Sequence, residues 1–165
     1  MDKYYYLISQ LPYLFFDKET YIDIDSFFDE AEKWMSKSDF VCLKLVDINH
    51  THPRKADIPV QKIYKKFEAD LRSELEQYRK AQKENYTYKS QLFPDSLIQE
   101  NNPLEAEKVL MKIRWDFIEE LMARHHFDLN FLVLYYLELQ ILARLEAFDK
   151  ELGMEKFKQY TEVEL

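Results

Sequence analysis

Glycine is almost missing from this chain: 165 residues contain only Gly153, where average usage of about 7% predicts roughly twelve. Phosphate-binding loops, dinucleotide-binding motifs and nucleophile elbows need several glycines, because their backbones approach a ligand closely or turn through positive φ. The tight turns of β-hairpins need glycine as well, which disfavours a sandwich or barrel of short strands. The shortage of glycine therefore predicts an all-α protein.

Cysteine and long apolar runs are also scarce. Cys42 is the single cysteine, so no intramolecular disulfide can form, and its apolar neighbours argue against a reactive thiol. The start of the chain lacks the basic region of a signal peptide. The longest nearly uncharged stretch, 129–137, is far shorter than the ~20 residues that a membrane span requires. We expect a cytoplasmic protein without a membrane span.

Positive charge is in deficit. The chain has 23 basic and 31 acidic residues, a formal net charge of −8, which repels phosphate backbones and disfavours nucleic-acid binding. Apolar residues form 47% of the chain, including twelve Phe, twelve Tyr and two Trp. This content predicts a packed core and disfavours disorder.

Residues 1–84 are predicted to form an N-terminal helical lobe. The aromatic segment 4–16 is either extended or a short helix ended by Pro12, and it is expected to pack on the body of the protein. Asp25 is predicted to cap the first amphipathic helix, and Ser38 to start a second helix that runs to Val46. The first of these helices carries Phe27, Phe28, Ala31, Trp34 and Met35 on one face.

The third helix is predicted to be long and charged, with Asp57 as its N-cap and Pro59 in its first turn. Such a narrow apolar stripe buries one side only, so the helix is expected either to lie on the outside of the protein or to form an antiparallel hairpin with one neighbour. The stripe consists of Ile63, Phe67, Leu71, Leu75 and Tyr78.

Residues 85–102 lack periodicity and are predicted to be a connecting loop, followed by a C-terminal helix hairpin over 103–165. Asn102 and Pro103 mark the start of the first hairpin helix, and Asp128 is predicted to cap the second, which Gly153 ends as a C-cap. A short helix is expected over 154–160. The hairpin forms the scaffold of one compact domain, 1–165. The first hairpin helix has the apolar stripe Ala106, Val109, Leu110, Ile113, Phe117 and Leu121, and Phe117 and Leu121 are expected to meet Phe131 and Leu134.

Clusters of polar residues raise the question of catalysis. His50, His52 and Asp57 could hold a metal loosely, but their spacing matches no ligand signature. The pair His125-His126 lies at the turn between the two long helices, where a capping role is expected. The acids Asp116, Glu119 and Glu120 lie on the polar side of their helix without a neighbouring nucleophile. The sequence therefore predicts no catalytic residue, no metal site and no cofactor.

Aromatic residues are the better candidates for binding a partner. Trp115 lies opposite the apolar stripe of its helix, so it either fills a second packing surface or anchors another protein. The N-terminal tyrosines and the loop tyrosines present the same choice. The predicted partner-binding residues are Tyr4, Tyr5, Tyr6, Trp115, Tyr86 and Tyr88.

Three separated segments carry a family resemblance: the run from Tyr4 through Pro12, Asn102-Pro103-Leu104-Glu105-Ala106-Glu107, and Arg114-Trp115-Asp116-Phe117. The chain resembles an uncharacterised helical family encoded with the subunits of bacterial V/A-type ATPases. That family is similar in presumed role to the helical socket protein of V-type ATPases, named C in bacteria and d in eukaryotes. This socket joins the central stalk to the membrane rotor ring.

The resemblance implies a non-enzymatic assembly or coupling component of an ion-transporting ATPase or ATP synthase. Its partners would be the shaft and rotor-ring subunits, and it would lie in the cytoplasm, peripheral to the inner membrane as part of the complex. One alternative is a generic cytosolic helical adaptor that binds another protein through the third helix or the 85–102 loop. The other is a metal-dependent hydrolase that uses His50, His52 and Asp57.

Overall fold

The computed structural model describes residues 3–94 and 102–163. Within these residues the chain forms helices and no strand, which confirms the all-α prediction. Residues 95–101 of the predicted connecting loop lie outside the described residues. The six helices of the described ranges are α1 (Tyr5–Gln10), α2 (Ile24–Trp34), α3 (Lys37–Lys44), α4 (Pro59–Lys83), α5 (Pro103–Met122) and α6 (Leu129–Val163).

The N-terminal aromatic segment contains a short helix that packs on the body, one of the two alternatives that the sequence leaves open. Leu7 and Ile8 of α1 are buried, and the helix ends at Gln10, with Leu11 as its extended C-cap before Pro12. Tyr4, which precedes α1, is buried too, and its hydroxyl donates a hydrogen bond to Asp39 of α3. Its backbone N–H donates to the carbonyl of Phe127 at 3.0 Å, so the segment is tied to both halves of the chain.

The first two amphipathic helices begin earlier than predicted. Asp23, not Asp25, caps α2, because its backbone is extended and its carboxylate accepts the Ser26 N–H at 2.7 Å. Helix α3, capped by Ser36 in the same way, begins at Lys37, one residue before the predicted start at Ser38, and ends at Lys44 instead of Val46. Asp25 instead lies in the first turn of α2, where a negative charge interacts favourably with the helix dipole.

Pro59 lies in the first turn of α4, as predicted, but the helix begins at Pro59 itself and Asp57 is not its cap. The Asp57 carboxylate accepts hydrogen bonds from the Arg54 N–H and from the Lys65 ammonium, both at 2.7 Å. The helix ends near Asn85, a non-glycine residue with φ of 59°. The bond from the Tyr86 N–H to the carbonyl five residues earlier completes a C-terminal cap.

The buried face of α4 is not the narrow apolar stripe that was expected. Leu71 and Tyr78 are buried as predicted, but Ile63 is exposed, and Glu68 is fully buried. The Glu68 carboxylate accepts two hydrogen bonds from the Arg114 guanidinium on α5, each 2.8 Å long. Helix α4 therefore packs against α5 through a buried ion pair.

The inward face of α5 is rotated relative to the predicted stripe. Leu110 and Leu121 are buried as expected, but the centre of the face is formed by Met111, Trp115 and Ile118. Phe117 lies at the edge and stacks on Phe67 of α4, with ring centroids 3.9 Å apart.

Helix α6 is longer than predicted. Asp128 caps its first turn as expected, since its carboxylate accepts the Phe131 N–H at 2.9 Å. Gly153 does not end it, because the helix continues to Val163 and no glycine among the described residues has positive φ. The predicted separate helix over 154–160 is thus the last part of α6, and its side chains are exposed.

The main core is formed around the first half of α6, where Leu132, Leu134, Leu137 and Ile141 are almost completely buried. Side chains from every other helix contribute to it. A second, smaller cluster contains Leu71, Tyr78, Phe93 and Leu110, so the segment after α4 also packs on α4 and α5. The most extensive contact between two helices is that of α5 with α6.

Candidate functional site

Two pairs of aromatic rings lie beside α1, one at Tyr5 and one at the adjacent Tyr6, and three of the four rings are largely accessible to solvent while Phe127 is half-buried. Tyr6 contacts Trp34 at the end of α2 with ring centroids 4.4 Å apart, and Tyr5 contacts Phe127 at 4.6 Å. Tyr5, Tyr6 and Trp34 are 59%, 55% and 48% exposed. We refer to Tyr5, Tyr6, Trp34 and Phe127 as the aromatic surface.

The sequence predicts Tyr5 and Tyr6 in this surface but not Trp34. Periodicity alone places Trp34 on the buried face of its helix. It lies in the last turn of α2, before the chain leaves the helix at Met35, and this position exposes much of its ring. A large aromatic residue at the end of a short helix is the signal that could have identified it.

Two predicted partner-binding residues are inaccessible. Trp115 is only 4% exposed and lies in the core, where its ring contacts Phe16 edge-on with centroids 5.7 Å apart. Tyr4 is buried and bonded to Asp39. Both residues take the other alternative that the sequence leaves open, a place in the core, because the inward face of α5 includes Trp115 and because Tyr4, just before α1, bonds to α3.

The loop tyrosines do not join the aromatic surface. Tyr86 is exposed next to the end of α4, and Tyr88 is half-buried against the small cluster that contains Phe93. Among the described residues, no aromatic ring pair connects either of them to Tyr5 or Tyr6.

His50 and His125 are engaged in local contacts, whereas His52 and His126 are exposed. His50 Nδ1 lies 3.2 Å from Arg54 Nη2, and Asp57 forms a buried ion pair with Lys65. His125 Nδ1 lies 3.2 Å from the capping residue Asp128. The residues in the described ranges contain no group of three or more His, Cys, Asp or Glu side chains placed to hold a metal ion.

The three acids of α5 separate into different environments. Asp116 pairs with Lys112 at 2.9 Å, and Glu120 lies 3.9 Å from Arg124, both at the surface. Glu119 instead faces Glu138, a residue of α6 that is only 2% exposed. Burial, together with the nearby Glu119 carboxyl group, raises the pKa of Glu138 to about 10.

Other ionisable groups are perturbed for structural reasons. Burial raises the pKa of the Cys42 thiol, in agreement with its apolar sequence context. Burial also raises the pKa of the Tyr64 hydroxyl, which donates a hydrogen bond to the Ile48 carbonyl at 3.2 Å. Both groups are thereby held in their neutral forms, which suits packing and not proton transfer.

The helices of 3–94 and 102–163 include none that is both long enough and apolar enough to cross a bilayer. The longest, α6, has Arg144, Glu146 and Lys150 exposed after its buried first half.

The C-terminal half of the chain matches a known family. The model of the family described as protein of unknown function (DUF2764) matches residues 81–163, which include the end of α4, all of α5 and all of α6. No curated protein and no solved structure matches the chain significantly. The matched segment contains Trp115 and the Glu119–Glu138 pair, whereas most of the aromatic surface precedes it. The chain belongs to the family of proteins of unknown function DUF2764.

Proposed function

We propose that this protein is a non-enzymatic assembly or coupling component of a bacterial V/A-type ATPase and that it binds a partner subunit through the aromatic surface. The choice of partner rests on the sequence resemblance of the Tyr4–Pro12, Asn102–Glu107 and Arg114–Phe117 segments. The proposed action is mechanical: the packed helices act as a stiff body that holds neighbouring subunits in place.

The observation that carries the proposal is the exposure of the aromatic surface. Tyr6 and Trp34 are each about half exposed although they contact one another at 4.4 Å. Tyrosine and tryptophan are the residues that most often dominate protein–protein binding energies, since each combines a large apolar ring with a polar group. Further burial of both rings by a partner would add apolar contact without rearranging the fold.

Ion pairs at three of the four candidate acids support a non-enzymatic role, and the fourth, Glu119, faces the buried Glu138. Asp57 is held by Lys65, Asp116 by Lys112, and Glu120 lies next to Arg124. Each of these carboxylates therefore has a structural partner in place of a nucleophile. Within the complex, the protein would lie at the cytoplasmic side of the inner membrane, held there by the shaft and rotor-ring subunits.

The proposal is tested by capturing the tagged full-length chain from its native host and identifying the retained proteins by mass spectrometry. ATPase subunits should be retained by the wild type. The double variant Tyr6→Ala/Trp34→Ala should retain at least about tenfold less of them. The matched control is Tyr160→Ala, which removes an exposed tyrosine from the far end of α6.

Loss of ATPase subunits in the double variant, with retention in the control, supports the proposal. Capture that retains none of these subunits contradicts the choice of partner. If one other identified protein is retained by the wild type and lost in the double variant, the helical adaptor replaces the ATPase component as the better description. Thermal unfolding followed by circular dichroism establishes that the variants are folded.

A further inference from the structure

A cleft of about 640 Å³ lies between the segment that joins α3 to α4 and the middle of α6. The backbone of residues 46–49 forms one wall. Ala143 and Ala147, one helical turn apart on α6, keep the opposite wall open because their side chains are small. The volume falls within the range of about 300–1,000 Å³ that is typical of small-ligand sites.

The backbone wall of this cleft is held by side chains of two long helices. Gln140 of α6 donates a hydrogen bond to the Val46 carbonyl and accepts one from the Ile48 N–H, each 2.9 Å long. Tyr64 of α4 donates to the Ile48 carbonyl. The wall is therefore fixed by contacts within the protein, which reduces the entropic cost of binding a ligand.

The charge of the cleft is opposite to that of the whole chain. Lys44, Arg54 and Arg144 line it, together with His50, in a protein whose formal net charge is −8. Among its lining residues, Asp47 is the single carboxylate, and that carboxylate accepts the Asn49 N–H at 2.8 Å. The cleft is thus a local concentration of positive charge.

The three cations of the cleft are held by rings and not by carboxylates. The Lys44 ammonium lies 4.6 Å from the centroid of the Phe40 ring, and the Arg144 guanidinium lies 4.8 Å from that of Phe148. Arg54 contacts His50. In the described part of the chain, none of the three forms a salt bridge, although Arg54 also lies close enough to the buried Asp57 carboxylate to interact with it electrostatically.

A second cavity, of about 790 Å³, adjoins the first at Ala143 and has several acids in its lining. Two of these acids are paired with lysines: Glu146 with Lys150 at 3.4 Å, and Asp149 with Lys108 at 3.5 Å. The second cavity has six acids and one lysine in its lining, whereas the first has three cations and one acid, so most positive and most negative groups on this side line different cavities. The electrostatic potential would draw an anion to the first cleft and away from the second.

We propose that the cationic cleft binds a small organic or inorganic anion with two or more negative groups, either a polyphosphate or a polycarboxylate. Arg54 and Arg144 each offer a planar guanidinium that can bind two anionic oxygens at once, and Lys44 supplies a third positive charge. Ala143 and Ala147 leave room for the body of the ligand. This binding is separate from the aromatic surface and does not depend on the function proposed above.

Isothermal titration calorimetry and ¹H–¹⁵N NMR on the full chain test this proposal, with tripolyphosphate and citrate as probes at low ionic strength. The wild type should bind at least one probe with 1:1 stoichiometry, with chemical-shift changes confined to residues 44–50, 54 and 140–147. Arg144→Gln and Arg54→Gln should each weaken binding about tenfold. The matched control is Arg79→Gln, which removes an exposed arginine of α4 that does not line the cleft.

Binding of tripolyphosphate alone identifies a phosphate ligand, and binding of citrate alone identifies a polycarboxylate. Binding of both supports the site without selecting between the two. The proposal is overturned if neither probe binds at millimolar concentration. It is overturned equally if Arg79→Gln weakens binding as much as Arg144→Gln does, since the attraction would then come from the whole surface. Because all three arginines are exposed, each variant is expected to fold.

Discussion

Glu138 should make the protein less stable as the pH rises. Its carboxyl group is buried among the apolar residues of α6, and its Oε1 atom has no hydrogen-bond partner among the described residues. Burial and the facing Glu119 carboxyl group raise its pKa from 4.5 to about 10 in the folded protein. In the unfolded chain the group ionises near its ordinary pKa of 4.5. Between these two values, the folded state holds one proton more than the unfolded state.

The size of the effect follows from proton linkage. One extra proton on the folded state lowers the free energy of unfolding by about 1.4 kcal/mol per pH unit. Between pH 5 and pH 8 the loss attributable to this residue is about 4 kcal/mol. The substitution Glu138→Gln keeps the shape of the neutral side chain but removes the titration. The variant should match the wild type near pH 4.5 and become progressively more stable than it as the pH rises.

Urea unfolding at several values between pH 5 and pH 8, followed by circular dichroism, measures this difference. Asp39, Asp57 and Asp128 have lowered pKa values, so their stabilisation is lost only as the pH falls below this range. They are also present in both proteins and cancel in the comparison. Glu120→Gln, on the exposed side of α5, is the matched control. A constant difference between Glu138→Gln and the wild type over the whole range would refute the reasoning.

Three further substitutions test the packing. Arg114→Leu should lower the free energy of unfolding, measured in urea, by about 3 kcal/mol, because the buried Glu68 carboxylate would keep only the exposed Arg72 as a partner. The double variant Arg114→Leu/Glu68→Leu should recover part of this loss, since it removes the unpaired carboxylate as well. Phe93→Ala should cost about 3 kcal/mol in the same assay, and a cost below about 1 kcal/mol would show that the segment after α4 does not pack as described. Gly153→Ala should slow amide hydrogen exchange in residues 154–160, because alanine favours a helix over glycine by about 1 kcal/mol and the added Cβ would meet no atom within 4 Å. Faster exchange in the variant would contradict a continuous α6.

Helices were predictable from this sequence because apolar periodicity and proline position are local signals. Pro59 and Pro103 each start a helix, and Asp128 caps α6, as the sequence indicates. Cap residues were less predictable where two candidates lie close together, as with Asp23 and Asp25. Either residue can accept a backbone N–H, and the choice depends on which one has an extended backbone in the folded chain.

Buried charges were the main failure of prediction from sequence. Glu68 and Arg114 occur in charged helices, where such side chains normally face solvent, but each is the partner that allows the other to be buried. A single sequence cannot show which charges will meet across two helices when the residues are 46 positions apart. Glu138 did carry a local signal, because it is the one charged residue between Leu129 and Ala143. A charge inside an otherwise apolar helix indicates either a partner or a retained proton.

The aromatic surface could be predicted only in part, because the sequence does not show which aromatic side chains will be buried. The high density of tyrosine near the N-terminus indicates that this segment packs against another surface. The sequence cannot show whether that surface is the protein's own core or a partner protein, because both use the same kind of side chain. The structure divides them within one short helix and its flank: Tyr4 is in the core, and Tyr5 and Tyr6 are at the surface. The direction of each side chain depends on how α1 lies against α2, on the bond from Tyr4 to Asp39 of α3 and on the turn before α6, and none of these contacts is encoded locally.

The shortage of glycine excludes one mechanism of anion binding but not all of them. It excludes loops that bind phosphate through closely approaching backbone N–H groups. It does not exclude anion binding by side chains, and the cationic cleft is built in that way: Lys44, Arg54 and Arg144 supply the charge, while Ala143 and Ala147 supply the space that glycine gives in a loop. The end of α4 is another place where a different residue does what glycine usually does. Asn85 there adopts the positive-φ, left-handed backbone conformation that glycine most often occupies after a helix. A chain poor in glycine would therefore have to bind an anion through side chains and not through a backbone loop. A negative net charge of the whole chain does not prevent such binding when several cationic side chains line one cleft.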